Sequence, residues 1–125
     1  MRSPKNKILL VDDNHDNCEM ITLLLGFAGY QVSSAYTMVE GWRMVRDNHF
    51  DLCLLDNLLP DGSGYELCQQ ICLIYPQLPV MFYSGDAYDN DRNQGLAAGA
   101  KAYLVKPNDL EKIAEVIDTL LQASE

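Results

Sequence analysis

The chain has 125 residues, of which 48% are hydrophobic, and this size and composition suit one domain with its own buried core. Its formal net charge of -9 argues against direct binding to nucleic acid or to an anionic membrane surface, because both select clustered lysine and arginine. No apolar run is long enough to span a bilayer, and the basic residues 1–7 lack the apolar run of a signal peptide, so we expect a cytoplasmic protein.

Short apolar runs alternate with stretches of helical periodicity along the chain. The runs predict five strands, at residues 7–11, 31–35, 52–55, 79–83 and 102–105. A first helix is expected between the first two strands and should end at Gly29. Its inward stripe is predicted to consist of Cys18, Ile21, Leu24, Leu25 and Ala28.

Three pairs of residues have the spacing of a capping box, in which an N-cap side chain and an acid three residues later close the start of a helix. The pairs are Thr37 with Glu40, Ser63 with Glu66, and Asn108 with Glu111. They predict where the second, third and fifth helices begin. The expected inward residues are Trp42 and Val45 in the second helix, and Leu110, Ile113, Ile117, Leu120 and Leu121 in the fifth. A polar fourth helix is expected at about residues 88–98.

Four cysteines occur, at positions 18, 53, 68 and 72. They lack the close CxxC pairs and the histidine partners of a zinc site. We therefore interpret them as reduced structural residues.

Five strands that alternate with five helices indicate a parallel sheet with helices on both faces, which is the doubly wound α/β class. The first strand beyond Lys7 and the whole third strand are apolar, as expected for strands that are buried on both faces. We expect a single domain over residues 1–125.

Polar residues fall where the predicted strands end. Asp12 and Asp13 follow the first strand, Asp56 the third, Ser84 the fourth and Lys106 the fifth. Taken singly, each has a structural explanation as a helix cap, a turn residue or a solvated charge. Their occurrence after four strands of one parallel sheet favours a common site, because the carboxyl ends of such strands lie along one edge.

The chemistry of such a cluster points to phosphoryl transfer. Neighbouring carboxylates repel one another unless a cation lies between them, and ligands that are all oxygen suit Mg2+. A metal ion and a lysine together neutralise the oxygens of a phosphoryl group, and an aspartate can act as the nucleophile that forms an acyl phosphate.

The same residues resemble the receiver domain of bacterial response regulators. The segments that carry the resemblance are VDDN at 11–14, LLDNLLPDG at 54–62, SG at 84–85 and KP at 106–107, and the likeness extends from about residue 7 to residue 121. It implies a flavodoxin-like sheet with strand order 2-1-3-4-5 and a cis peptide bond before the proline of the fourth motif.

The resemblance also implies a role for each site residue. Asp56 would accept phosphate from a histidine kinase, a histidine phosphotransfer protein or a small phosphodonor. Asp12, Asp13, Asp56 and the backbone carbonyl of Leu58 would hold Mg2+. Lys106 would pair with the phosphoryl oxygens, the hydroxyl of Ser84 would move towards them, and Tyr103 occupies the position of the aromatic switch, although a tyrosine there is also compatible with plain packing.

The implied output is a protein-binding switch, with no enzymatic action on other substrates. Residues 88–121, which include the fourth helix, the fifth strand and the fifth helix, would form the face for a downstream protein or for a homodimer. The cognate kinase, the target and whether the domain belongs to a longer protein stay open. Asn57 and Asn108 depart from the residues usual in the family, and Leu58 and Asp86 lie where the family tunes hydrolysis of the phosphoryl group.

Three other functions fit the sequence less well. A degenerate receiver that acts only through protein interaction is disfavoured by the intact acids, hydroxyl and lysine. A phosphatase with an aspartate nucleophile would need a second aspartate where Leu58 stands. A flavin-binding electron carrier would need a loop rich in serine, threonine and glycine where Asp12 and Asp13 would repel the flavin phosphate.

Overall fold

The computed structural model describes residues 6–123 of the chain. The basic segment at residues 1–5 and the last two residues lie outside the described part. The strands are β1 (Lys7–Val11), β2 (Gln31–Ala35), β3 (Leu52–Leu55), β4 (Leu58–Leu59), β5 (Gly62–Ser63), β6 (Val80–Ser84) and β7 (Ala102–Val105). The helices are α1 (His15–Phe27), α2 (Met38–Asp47), α3 (Gly64–Ile74), α4 (Asp89–Ala97) and α5 (Ile113–Ala123), the last preceded by a 3-10 turn at Leu110–Lys112.

The five longer strands form one sheet in the order β2-β1-β3-β6-β7, and every pairing in it is parallel. Counted among these five strands, this is the predicted order 2-1-3-4-5, so the predicted doubly wound fold is confirmed. The order reverses between β1 and β3, which places the carboxyl ends of these two strands side by side. This switch point is where open α/β sheets bind ligands.

The sheet separates two hydrophobic layers. On one face, α1 and α5 pack over the alternate residues of β1 and β3 that begin with Ile8 and Leu52. On the other face, α2, α3 and α4 cover residues such as Leu9, Cys53 and Phe82. Burial on both faces explains why β3 and β6 contain no exposed residue and why β3 and residues 80–83 of β6 are continuous apolar runs. Among residues 6–123, no helix has the length and apolar character needed to cross a membrane.

Two of the predicted caps are present. Thr37 Oγ1 accepts from the backbone N–H of Glu40 at 3.0 Å, and Ser63 Oγ accepts from the N–H of Glu66 at 3.2 Å. The Glu40 carboxylate reaches back one residue further than expected, to the N–H of Tyr36 at 3.2 Å. Gly29 follows the end of α1 with φ of 94°, a conformation that glycine adopts without steric cost.

Several details of the prediction were wrong. Leu24 and Ala28 are exposed, because the buried stripe of α1 is narrower than the sequence pattern and consists of Cys18, Ile21 and Leu25. Asn108 does not cap the last helix: the 3-10 turn begins after Asp109, whose side chain accepts from the N–H of Val105 at 2.9 Å.

The fourth predicted strand, at residues 79–83, is shifted by one residue to Val80–Ser84, and one hairpin was not predicted. Ser84 is the last residue of β6, where the prediction placed it just beyond that strand. The hairpin of β4 and β5 was not predicted, because two-residue strands leave no periodic pattern.

Candidate functional site

Three carboxylates meet at the carboxyl ends of β1 and β3. Asp12 and Asp13 follow β1, and Asp56 follows β3, its neighbour in the sheet. One carboxylate oxygen from each residue lies within 4.8 Å of those of the other two. Asp12 and Asp56 are buried, with 1% and 8% of their surface exposed, whereas Asp13 is exposed to solvent. The structure therefore brings the three predicted acids into one cluster with an open side.

Lys106 reaches this cluster from the end of β7. Its Nζ lies 2.7 Å from Asp12 Oδ2 and 3.2 Å from Asp56 Oδ2. Burial lowers the pKa of Lys106, but the hydrogen bond to Asp12 and the charges of both acids outweigh burial and raise it overall. Lys106 is thus held as a cation between two carboxylates. The peptide bond between Lys106 and Pro107 is cis, as the resemblance implies.

Asp56 has a raised pKa even though Lys106 is its neighbour. Burial is the largest cause, and the negative charge of Asp12 acts in the same direction. The charge of Lys106 and the hydrogen bond that it donates oppose these two effects without cancelling them. The ionised form of Asp56 is therefore less favourable here than in a solvent-exposed aspartate. A cation bound nearby would favour the ionised form.

The first turn of α1 fixes the orientation of the Asp12 carboxylate. Asp12 Oδ1 accepts from the N–H of Asn14 at 2.9 Å, and Oδ2 accepts from Asn17 Nδ2 at 2.6 Å. Asn14 itself is the N-cap of α1 and accepts from the N–H of Asn17. The explanation of the acidic pair as the cap of this helix is therefore wrong, and Asp12 is free to point into the cluster.

Gly64 allows α3 to lie directly against the backbone of Asp56. A Cβ at Gly64 would lie 2.1 Å from the Asp56 carbonyl oxygen and 2.8 Å from Cε1 of Phe82. The N–H of Gly64 also donates to the carbonyl of Asn57 at 2.7 Å. Gly64 was not among the predicted site residues, although its position one residue after the Ser63 cap marks the place where the helix meets the loop.

Ser84 and Tyr103 lie on neighbouring strands next to the acidic cluster. Ser84 has 1% of its surface exposed and Tyr103 has 5%, so both side chains point into the protein. The Tyr103 hydroxyl donates to the carbonyl of Asp86 at 2.7 Å, and Ser84 Oγ accepts from the N–H of Asp86 at 3.3 Å. Burial raises the pKa of Tyr103, and hydrogen bonds with the hydroxyls of Tyr65 and Ser84 partly offset this effect.

Leu58 lies two residues beyond Asp56, at the start of the β4–β5 hairpin. Its side chain has 66% of its surface exposed and so stands at the rim of the site. A separate recess of about 730 Å³ lies at the opposite edge of the sheet, lined by residues 45–51 and 74–79. The charged cluster and this recess are therefore on different edges of the molecule.

Comparison with known proteins agrees with the fold and the site. The family model described as the response regulator receiver domain matches residues 8–118. The chain belongs to this family. Phosphorylation-based two-component signalling is the general role of response regulators, and receiver domains are signalling phosphoacceptors that differ from ordinary enzymes.

Two curated relatives of this receiver domain are a response regulator and a regulatory protein. The response regulator protein PilR of Pseudomonas aeruginosa is 37% identical over 118 residues, which cover 94% of this chain and 26% of PilR. The regulatory protein VanR of Enterococcus faecium is 36% identical over 112 residues, which cover 89% of this chain and 48% of VanR. The receiver domain thus spans about a quarter to a half of the length of these relatives.

Solved structures agree with this assignment. The non-phosphorylated receiver domain of HemR from Leptospira biflexa aligns with a TM-score of 0.85 and 32% identity, over 94% of each chain. The likeness therefore covers nearly the whole of both chains.

Proposed function

We propose that this receiver domain accepts a phosphoryl group on Asp56 in a Mg2+-dependent reaction, and that the phosphoryl group changes a protein-binding face. The observation that carries the proposal is the cluster itself. Asp12, Asp13 and Asp56 have oxygens within 4.8 Å of one another, and Lys106 bonds to two of these residues. We also infer that residues 1–125 form a single receiver domain, of which the family model covers 8–118.

The donor set fits a hard divalent cation. All three side chains offer carboxylate oxygens, and the open side at Asp13 leaves room for the water ligands that Mg2+ retains. Asp12, Asp13, Asp56 and the backbone carbonyl of Leu58 are the groups that would hold it. When bound, Mg2+ neutralises charge on the oxygens of a transferring phosphoryl group.

Asp56 acts as the nucleophile in the proposed reaction. One of its carboxylate oxygens forms a bond to phosphorus, while the bond from phosphorus to the donor breaks and its electron pair leaves with the donor. The ammonium group of Lys106, which lies 3.2 Å from Asp56 Oδ2, then donates to a phosphoryl oxygen. The hydroxyl of Ser84 leaves the N–H of Asp86 and donates to another of these oxygens.

The change at Ser84 reaches the surface through Tyr103. These two side chains lie on paired strands, with Ser84 next to Val105 in register, and Tyr103 lies under α4. The proposed face consists of α4, β7 and α5. Its partners would be a downstream protein or a second copy of the chain, and a histidine kinase or histidine phosphotransfer protein would supply the phosphate.

The test is intact-mass measurement after treatment with acetyl phosphate, with and without Mg2+. We expect a Mg2+-dependent gain of one phosphoryl group that is lost in Asp56→Asn and kept in the matched control Asp47→Asn, an exposed acid at the end of α2. Absence of the gain together with absence of Mg2+ binding would contradict the proposal. That result would favour the alternative, a degenerate receiver that acts as a phosphorylation-independent interaction module.

A further inference from the structure

Asp86, in the loop between β6 and α4, contacts three residues of the site at once. Its N–H donates to Ser84 Oγ at 3.3 Å, and its carbonyl accepts from the Tyr103 hydroxyl at 2.7 Å. Its carboxylate accepts from Asn57 Nδ2 at 2.5 Å. One loop residue therefore connects the two side chains of the proposed switch to the residue that follows the phosphoacceptor.

Asn57 is a buried polar residue whose side-chain amide has few hydrogen-bond partners besides Asp86. Only 5% of its surface is exposed, and its Oδ1 is buried with no hydrogen-bond partner in the part of the chain that the structure describes. Turning the amide over would place Oδ1 against the carboxylate of Asp86, where two acceptors would face each other, so Asp86 fixes its orientation. A buried amide is unfavourable unless it is hydrogen-bonded, and the bond to Asp86 is the compensation found here.

We propose that Asn57 is a positioning residue that acts through Asp86. By holding the Asp86 carboxylate, it fixes the main chain that bonds the hydroxyls of Ser84 and Tyr103. The proposal rests on the proposed function, because this arrangement matters through the binding of a phosphoryl group beside Asp56. A bond from a neutral amide to a carboxylate is stronger than one between two neutral groups, so it can restrain an otherwise exposed loop.

The packing around Tyr103 makes its position sensitive to this loop. A Cβ at Gly95 of α4 would lie 2.8 Å from Cδ2 of Tyr103, so the ring fills the space below the helix. Gly85 and Ala87, on either side of Asp86, are both exposed to solvent. Loss of the bond between Asn57 and Asp86 therefore leaves the loop with fewer restraints, and the Tyr103 hydroxyl loses a fixed acceptor.

The first measurement is the affinity for beryllofluoride, a phosphoryl analogue, in the presence of Mg2+. Asn57→Leu keeps the approximate size and the charge of the side chain and removes its donor. We expect it to weaken binding by about three- to tenfold, because the loss of a hydrogen bond to a charged group changes the binding free energy only in part. Asp86→Ala is compared with Asp86→Asn, because both are neutral and only the asparagine keeps an acceptor oxygen. We expect weaker binding in the alanine variant of this pair.

The second measurement reports on Tyr103 itself and would not respond to a merely structural role of Asn57. Fluorotyrosine NMR, with the Tyr103 signal assigned from Tyr103→Phe, should show this signal moving towards solvent-exposed values in Asn57→Leu and Asp86→Ala. Asp86→Asn should retain most of the buried signal. Asn48→Leu serves as the matched control, because it removes another asparagine amide bond, to the carbonyl of Met44 at 3.2 Å, at the exposed end of α2 and outside the proposed face. It should leave both measurements unchanged.

A double-mutant comparison completes the test. If the two residues act as a pair, Asn57→Leu combined with Asp86→Ala should bind the analogue no more weakly than Asp86→Ala alone. Additive losses, or an unchanged Tyr103 signal in folded single variants, would overturn the proposal. If the wild-type protein did not bind beryllofluoride with Mg2+, the proposed function itself would fail, so the two failures are distinguishable.

Discussion

Gly64 provides a direct test of how tightly α3 must approach the phosphoacceptor loop. In Gly64→Ala, the new Cβ would lie 2.1 Å from the Asp56 carbonyl oxygen and 3.0 Å from its carbonyl carbon. Close carbon-to-oxygen contacts in proteins are about 3.3 Å or longer, so the backbone would have to separate by about 1 Å. The neighbour that must move is main chain, which cannot be relieved by a change of rotamer.

The expected magnitude follows from two opposing effects. Forcing an extra carbon into a packed site costs about 1–3 kcal/mol, and the contact here is at the severe end of that range. Alanine gains at most about 1 kcal/mol over glycine in a helix, and less at its first residue. We therefore expect Gly64→Ala to lower the free energy of unfolding by about 2 kcal/mol and the Tm by about 8 °C.

Urea unfolding followed by circular dichroism is the appropriate assay, and Gly26→Ala is the matched control. Gly26 lies inside α1, and a Cβ there would meet nothing within 4 Å. Alanine at this position should raise the free energy of unfolding by about 0.5 kcal/mol through helix propensity. If both variants were as stable as the wild type or more so, the close approach of α3 to Asp56 could not be as tight as described.

Three further outcomes are expected. The N–H groups of Val39 and Met38 lower the pKa of Asp61, and the N–H of Val105 lowers the pKa of Asp109. Both acids therefore stabilise the fold above the pKa that they have in the unfolded chain, and this contribution is lost as the pH falls through their pKa in the folded protein. In urea unfolding from about pH 5 to pH 2, the free energy of unfolding should depend less on pH in Asp61→Asn and Asp109→Asn than in the wild type. Asp51→Ala should cost about 1–2 kcal/mol and increase hydrogen exchange at the start of β1, because its carboxylate accepts from the N–H groups of Asn6 and Lys7, each at 2.9 Å; unchanged exchange would contradict this role. In thiol labelling, the half-buried Cys72 should react first, and Cys53 should react only on unfolding because burial raises the pKa of its thiol; early labelling of Cys53 would show that β3 is accessible.

The positions of the five site residues could be predicted because each lies at the carboxyl end of a strand. A change from an apolar run to a charged residue marks the end of a buried strand, and parallel strands place these ends on one edge. Asp12, Asp56 and Lys106 are brought together by this geometry alone. The shift of β6 by one residue, which makes Ser84 its last residue, did not change the edge of the sheet on which the Ser84 hydroxyl lies.

What could not be predicted depends on contacts between loops. Nothing in the chain order indicates that Asn57 and Asp86, 29 residues apart, share a hydrogen bond. The exposure of Leu24 depends on how far α5 and the sheet reach around α1, which periodicity does not encode. Glycine is required at position 64 because α3 lies very close to the loop that contains Asp56. The two segments are adjacent in sequence, but the sheet determines the distance between them.

The net charge of the acidic cluster bears on its proposed chemistry. Three carboxylates and one ammonium group leave two net negative charges at one sheet edge, and the raised pKa of Asp56 reflects this excess together with burial. A divalent cation has the charge that balances it, whereas a second lysine would place a long side chain in the space that the proposed phosphoryl group would occupy. Lys106 bonds to both Asp12 and Asp56, so its ammonium group already lies beside the carboxylate that the proposed reaction would modify. The charge and the oxygen donors of the cluster therefore support the proposal that Asp56 accepts a phosphoryl group together with a bound cation.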